Sequence, residues 1–352
     1  MTVNPAGALS FVDIAAHQFG KEQTREATFV NLAKTRNDIW EDLLMRAASN
    51  GDTELVRFIT ALPTAMWLHI GKGLVSSKGS VASTRIVCGN VGSKLEILDK
   101  DKRKAEANGT WDNMYQIKTA GHTEAIALEV VQMLLYGDLR ENPDGFNGLS
   151  KWYSKHTSND DTIPAHNVIT AGAGEGDSHG SIFLVGWGDT GVYGFYPAGS
   201  KTAGIEISPL EKVRISESAE RPDATLWAWL QEYELNVGLA VADWRKAGRI
   251  CNIDRYAHQK SMTKDERYEA ARQFFSRINV LCNRVDETGV KQKLYMDKFV
   301  WEQAKEFASA LTLENAVTEK DLDGKKLRTI NSIPVRINKV QQVDEGEVPA
   351  MA

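Results

Sequence analysis

The stretch LVRFITALPTAMWLHI, residues 55–70, constrains the fold more than any other part of the sequence. It alternates with a period of two, and one face carries Arg57, Ala61, Ala65 and His69. The opposite, apolar face consists of Val56, Phe58, Leu62, Met66, Leu68 and Ile70. This pattern predicts a β-strand, and Pro63 restricts that strand to a sheet edge or a bend.

Residues 71–80, GKGLVSSKGS, follow the predicted strand directly and contain three Gly, three Ser and two Lys. This composition predicts a flexible tip. A second extended run, residues 81–98, returns from the tip, so residues 55–98 are interpreted as one long two-stranded ribbon. Because an isolated two-stranded ribbon is at best marginally stable in water, we expect it to lie on another surface.

The strongest helical pattern covers residues 114–136. Ile126, Val130, Met133 and Leu134 recur at helical spacing, and Gly137 follows where a glycine often ends a helix. Such a helix would be about 35 Å long at 1.5 Å per residue. We therefore expect it to act as a spine for the other elements.

The remaining predicted elements come in runs of strands and runs of helices, which gives an α+β fold class. They are an aperiodic arm over residues 6–34, a helix over 37–46 with Asn37 as its N-cap, a hairpin of 181–187 and 192–196, a strand over 227–241, helices over 264–282 and 294–311, a strand over 326–338 and an acidic tail from 341.

Composition excludes several classes of protein. Hydrophobic residues make up 42% and charged residues 25% of the 352 residues, as in globular proteins. The net charge of -5 argues against a dedicated nucleic-acid binder. Three scattered cysteines, Cys88, Cys251 and Cys282, predict neither a disulfide framework nor a zinc site. The N-terminus resembles no signal peptide and no stretch reaches membrane-span length, so we expect a soluble, unexported protein with no membrane partner.

One string resembles a catalytic motif. Gly176-Asp-Ser178-His-Gly180 satisfies the G-x-S-x-G pattern of a hydrolase nucleophile elbow. That elbow needs a strand before the serine and a helix after it, whereas here a glycine run precedes and an apolar strand follows. His179 would point to the opposite face from Ser178 on a strand, so it is a poor base. A polar surface loop is the favoured interpretation.

Other motifs are incomplete. Gly172-x-Gly174-x-Gly176 lacks the dinucleotide-binding spacing, and Gly71-Lys72-Gly73 lacks the remainder of a phosphate loop. His122-x-Glu124 lacks the cysteine partner of a deaminase motif. The basic cluster Lys100, Lys102, Arg103 and Lys104 is interleaved with acids and contains no aromatic residue, which favours a solvated face or a subunit contact. We therefore assign no catalytic, cofactor-binding or metal-binding residue.

Several short motifs, densest between residues 110 and 254, carry a family resemblance. They are Leu134-Leu-Tyr-Gly-Asp138, Pro143-x-x-Phe146-x-Gly-Leu149, Ser181-Ile-Phe-Leu-Val-Gly-Trp-Gly188, Gly194-x-Tyr196-Pro-x-Gly-Ser200, Gly238-Leu-x-Val241-x-Asp-Trp-Arg245, Arg249-Ile-x-Asn-Ile-Asp254, Tyr295-Met296 and Asn331-x-Ile333-Pro-Val-Arg336. With the order of elements, they resemble the major capsid proteins of tailed phages with the Hong Kong 97 fold. The resemblance is greatest to the capsid proteins of short-tailed phages of the epsilon-fifteen type.

The resemblance implies a domain organisation. Residues 1–49 would be an N-terminal arm, and residues 50–108 an extended loop that lies across a neighbouring subunit. A peripheral domain would comprise residues 109–164, with the spine helix 114–136, and the C-terminal strand 326–345. Residues 165–325 would form the axial domain, and residues 346–352 a tail.

The resemblance also implies a structural function with no enzymatic activity. Hexamers and pentamers of one chain would form the icosahedral head around the double-stranded DNA of a tailed phage, assembled in the cytoplasm of a bacterial host. The partners of this chain would be other copies of itself, together with portal, scaffold or cement proteins. Packaged DNA would be contacted only weakly and non-specifically, because an acidic lining leaves it free to move.

Two alternative functions remain open at this point. An encapsulin-like nanocompartment shares the fold, and neighbouring genes would distinguish it from a phage head. A serine hydrolase at Ser178 would be revealed by an activity-based probe.

Members of the capsid fold also crosslink lysine to asparagine, for which Lys72 or Lys78 would be the donor, although no acceptor is assigned. Deletion of residues 71–80 is expected to leave folded subunits that assemble poorly.

Overall fold

The computed structural model describes eleven segments of the chain. They are residues 9–10, 25–61, 63–68, 73–157, 162–173, 178–218, 221–312, 317–322, 325–338, 340–341 and 345–351.

Helices and strands occur in runs along these segments. The helices are α1 (Arg25–Arg36), α2 (Ile39–Asp42), α3 (Asp99–Ala107), α4 (Trp111–Tyr136), α5 (Leu149–Trp152), α6 (Lys264–Arg284) and α7 (Lys298–Ala310). The strands are β1 (Leu9–Ser10), β2 (Leu44–Ala47), β3 (Thr53–Ala61), β4 (Ser80–Val87), β5 (Gly89–Leu98), β6 (Val168–Thr170), β7 (His179–Trp187), β8 (Val192–Tyr196), β9 (Ile205–Ile207), β10 (Glu211–Ser218), β11 (Arg221–Val241), β12 (Ala247–Asp254), β13 (Lys291–Met296), β14 (Val317–Leu322), β15 (Lys325–Ile330) and β16 (Ile333–Ile337).

Strand β7 lies in the middle of the larger sheet, between β12 and β13, touches β8 only at its end, and has all nine of its residues buried. Phe183 and Val185 belong to one hydrophobic core together with helix α4. Ile182 and Leu184 belong to a second core together with helices α6 and α7. Because successive strand residues point to opposite faces, a strand covered on both sides reads as a continuous apolar run.

Helix α4 confirms the predicted spine, and it begins three residues earlier than the sequence pattern indicated. Its 26 residues extend over about 39 Å. The inner face packs on β5 and β11 and buries Ile126, Val130 and Leu134. The helix thereby fixes the position of the sheet end from which the β3–β4 ribbon departs.

Gly137 occupies the C-cap position of α4, as predicted, but for a different reason. Its φ of -52° is not left-handed. A Cβ atom there would lie 2.3 Å from the Phe146 carbonyl oxygen and 2.6 Å from that of Met133. The glycine is therefore required by the close approach of the chain after the helix.

Three predictions of local structure in the first and last parts of the chain were wrong. The arm over residues 6–34 contains helix α1 at its end, and the helix over 37–46 is only α2, after which β2 joins the sheet beside β8. Asn37 does accept a hydrogen bond from the Ile39 amide, at 3.1 Å. The helix over 294–311 begins at Lys298, because Asp297 caps it and residues 291–296 form β13 between β7 and β16.

Two predicted β units also differ from the structure. Strands β7 and β8 are not a hairpin, since they meet in parallel orientation at Trp187 and Val192 alone. The C-terminal strand is divided into β15 and β16 by Asn331 and Ser332, both of which have positive φ. The acidic tail is not free either, because Glu345 and Val348 are buried within the fold.

Candidate assembly surface

The sequence predicted one ribbon over residues 55–98, and the structure shortens it. Strands β3 and β4 pair with each other in a separate two-stranded sheet and, within the described segments, with no other strand. After Cys88 the chain enters β5, which pairs along its whole length with β11 of the larger sheet. The free ribbon therefore ends at Val87, and residues 89–98 belong to the body of the subunit.

The base of the ribbon is anchored by apolar contacts. Val56 is buried in a small core with Tyr193 and Phe195 of β8, and Phe58 packs against the same core. The predicted apolar face is therefore divided: Val56 and Phe58 cover their own subunit, whereas Met66 and Leu68 are exposed. Leu62 and Ile70, which complete that face, lie outside the described residues.

A buried carboxylate also holds the base. Glu54 is fully buried and accepts hydrogen bonds from Arg46, from the Ser49 amide at 2.6 Å and from the Tyr193 hydroxyl at 2.9 Å. Burial by itself would raise the pKa of Glu54, but the hydrogen bonds and the Arg46 charge outweigh it and leave the pKa below its ordinary value. The charged form of Glu54 therefore stabilises the attachment of β3.

Glu54→Gln is expected to loosen the ribbon base by about 1.5–3 kcal/mol at pH 7, because a neutral amide replaces charge-assisted hydrogen bonds. The folded-state pKa is lowered, so the stabilisation is complete above the ordinary pKa of 4.5 and disappears as pH falls through the folded value. Hydrogen exchange of β3 and β4 amides should differ more between variant and parent at pH 7 than at pH 3. Glu96→Gln, at an exposed position of β5, is the control. A difference between the Glu54 variant and the parent that is equal at both pH values would contradict the assignment.

The distal half of the ribbon exposes large apolar side chains. Trp67 is 102% exposed, with Met66 at 49% and Leu68 at 55% on either side of it. Hydrogen bonds tie the two arms of the tip together, since the Thr64 amide donates to the Ser77 hydroxyl at 2.7 Å. Exposed apolar clusters of this kind commonly mark interaction surfaces. The alternation did not single out Trp67, which falls between the apolar positions Met66 and Leu68; the signal was the run Met-Trp-Leu.

Only one of the two lysines at the predicted tip lies within the described residues. Lys78 is exposed on the return arm of the ribbon, whereas Lys72 lies outside the described residues. The lysine crosslink stays a prediction.

The catalytic-looking string has the inverted context that the sequence indicated. Ser178 immediately precedes β7, and its carbonyl oxygen accepts a hydrogen bond from the Arg255 amide at 3.2 Å. His179 is buried at the start of that strand. The glycine run of residues 174–177 lies outside the described residues.

His122 on helix α4 has a structural role. Its Nδ1 atom lies 2.6 Å from the Ser93 hydroxyl, and its ring stacks on Tyr233 at 6.0 Å between centroids. In the part of the chain that the structure describes, no group of three metal-ligating side chains comes together. No described helix is long and apolar enough to cross a membrane.

The basic cluster of α3 gains aromatic partners from distant parts of the chain. The Lys102 ammonium lies 3.3 Å from the ring centroid of Trp229 and 4.9 Å from that of Trp111. Asp99 pairs with Arg103 at 2.7 Å. Such cation–π contacts stabilise the packing of α3 on the sheet, so Lys102 is occupied within its own subunit, whereas Lys100 and Lys104 are exposed.

Comparison with known proteins agrees with this architecture. A family model described as major capsid protein GP7 matches residues 21–349. A chain of the bacteriophage epsilon15 structure is similar with a TM-score of 0.61 at 17% identity, over 88% of this chain and 88% of that chain. The bacteriophage JBD30 capsid aligns over 97% of this chain and 99% of that chain at 10% identity, with a TM-score of 0.47. No curated protein matched the sequence significantly.

These findings confirm the α+β Hong Kong 97 fold and the resemblance to the epsilon-fifteen type. They also place the chain among structural proteins rather than enzymes, which removes the hydrolase alternative. Since the family model covers nearly the whole sequence, the chain belongs to the major capsid protein GP7 family and is a capsid shell protein of a phage virion.

Proposed function

We propose that copies of this chain form hexamers and pentamers that close into an icosahedral head around the double-stranded DNA of a tailed phage, with the ribbon of each subunit lying on a neighbour. The observation that carries the proposal is the exposed apolar tip around Trp67 on a ribbon with free edges. An uncovered edge promotes association, and a closed symmetric assembly covers every copy.

The domain organisation is part of the proposal. Residues 1–49 are the arm, 50–108 the extended loop, 165–325 the axial domain and 346–352 the tail. The peripheral domain combines residues 109–164 with 326–345. A contact between the last turn of α4 and the C-terminal segment supports that combination, since the Tyr136 hydroxyl donates a hydrogen bond to Glu345.

The other partners follow from the same role. Assembly takes place in the cytoplasm of a bacterial host, with a portal protein at one vertex and with scaffold or cement proteins. The net charge of -5 supports weak, non-specific contact with packaged DNA. The family match favours this phage head over a nanocompartment shell.

Electron microscopy of the purified, concentrated protein, together with sedimentation, tests the proposal. We expect capsomers or closed megadalton shells with five-fold and six-fold arrangements. Monomers that persist at high concentration, at both low and high salt and with the other head genes of the phage coexpressed, would contradict it.

A further inference from the structure

An open groove of about 610 Å³ lies between helices α1 and α4, above strand β11. Its floor includes Phe29 and Tyr233, which are buried, and Leu32, which is half-buried. Its rim includes Ile117, which is 65% exposed, and the amide side chain of Gln116. The groove thus combines an aromatic and aliphatic floor with a polar edge.

The groove lacks charge. Of the described residues that line it, none is Asp, Glu, Lys or Arg, although a quarter of the sequence is charged. They are Thr28, Phe29, Leu32, Asn113, Tyr115, Gln116, Ile117, Thr119, Ala120, Thr123, Ile207, Gln231 and Tyr233. An uncharged concave surface of this kind suits an apolar occupant with a few hydrogen-bonding atoms.

The ribbon tip has the matching character. Residues 62–71, LPTAMWLHIG, contain no Asp, Glu, Lys or Arg. Trp67 at its centre is fully exposed and brings a large apolar ring together with one N–H donor. Tryptophan is enriched among the residues that contribute most of the energy at protein interfaces.

The tip does not occupy the groove of its own subunit. The groove floor includes Tyr233, which is paired in the sheet with Ser93 of β5. Between Ser80, where β4 begins, and Ser93 the chain is extended with a single break at Cys88, a contour of roughly 43 Å at 3.3 Å per residue. Reaching its own groove would require the ribbon to fold back along β5, which the exposure of Trp67 excludes in this structure.

We propose that the groove between α1 and α4 of one subunit receives the Trp67 tip of a neighbouring subunit, a pairing that rests on the shell function proposed above. The indole ring packs on Phe29 and Tyr233 of the neighbour. The side-chain amides of Asn113 and Gln116 at the rim offer acceptors for the indole N–H. Each subunit thus carries both halves of a heterologous contact, which is the arrangement that closes rings.

Two variants, one on each side of the contact, test the pairing. Trp67→Ala removes the occupant, and Ile117→Arg places a charge at the exposed rim without disturbing the core. Each is expected to raise the concentration needed for assembly at least about 30-fold, the loss typical of a hot-spot residue. Trp227 is half-exposed and lies outside the ribbon and the groove. Trp227→Ala is therefore the matched control and should assemble like the parent. Circular dichroism and thermal melting confirm that all three variants fold.

A disulfide experiment tests the contact directly while keeping Trp67. Subunits with Leu68→Cys are mixed with subunits carrying Gln116→Cys, assembled and oxidised with diamide. Mass spectrometry is expected to find the 68–116 linkage between the two chains. A mixture of Leu68→Cys with Lys201→Cys, at an exposed site away from the groove, is the control.

The outcomes separate the pairing from the proposed function. If the parent forms shells while Trp67→Ala and Ile117→Arg also assemble normally, or the 68–116 linkage is absent, the pairing is wrong and the shell function stands. Loss of assembly in Ile117→Arg alone would mean that another segment, such as the arm over residues 11–24, fills the groove, and would also overturn the pairing. If the parent stays monomeric even with the other head genes coexpressed, the function itself fails.

Discussion

Replacing Arg249 by Met is expected to lower the free energy of unfolding by about 3–5 kcal/mol, the usual cost of leaving a buried charge without its partner. Arg249 and Glu345 form an ion pair at 2.6 Å, with side chains that are 4% and 3% exposed. The guanidinium also donates to the Ser181 hydroxyl at 2.9 Å and to the Tyr153 carbonyl at 3.2 Å. Denaturant unfolding of unassembled subunits measures the loss.

The double variant Arg249→Met with Glu345→Met distinguishes an unpaired charge from lost packing. Replacing both members of a buried pair by apolar residues is often neutral or stabilising, so the double variant should recover most of the loss. Arg245→Met is the control, because its pair with Asp243 is exposed and worth at most about 1 kcal/mol. A double variant as unstable as the single one would show that the ion pair is not the cause.

Exchanging residues 62–79 for Asn-Gly is expected to abolish shell formation while the subunit still folds. Ala61 and Ser80 are paired across the ribbon, so a two-residue turn can connect them. This is a cleaner truncation than removal of residues 71–80, because Ser80 already belongs to β4. The change removes the whole exposed apolar tip and leaves the anchored base of the ribbon intact.

Sedimentation and electron microscopy should find free subunits or small oligomers at concentrations where the parent forms shells. The melting temperature should stay within a few degrees, because the deleted segment contributes little to the core. Exchanging the described loop 197–199 for an equally short Gly-Ser-Gly sequence is a control for loop replacement elsewhere. Normal shells from the tip exchange would refute the role assigned to the ribbon.

The sequence predicted elements whose pattern is local and missed those that depend on distant partners. Helix α4 was recognised because its periodicity runs over many turns. Residues 294–296 were misassigned because a buried strand directly before a helix shows the same apolar residues, and Asp297 was the missed boundary signal.

The candidate surface was only half predictable for a similar reason. The ribbon follows from alternation and its Gly-rich tip, but its attachment by Glu54 requires Arg46 and Tyr193, the latter 139 residues away. The groove combines residues of α1, α4 and β11, and no sequence pattern brings those elements together. Trp67 is visible in the sequence, whereas its complete exposure is a property of the fold.

The burial of the Glu345 side chain and of Val348 has a consequence for synthesis. Val348 donates its amide to Asn252 at 2.8 Å and accepts from the same side chain at 3.1 Å, and Glu345 completes the buried pair with Arg249. These partners are separated by 96 residues. Because these partners of Arg249 and Asn252 come late in the chain, the centre of the subunit is completed only after the ribosome has translated residues 345–348.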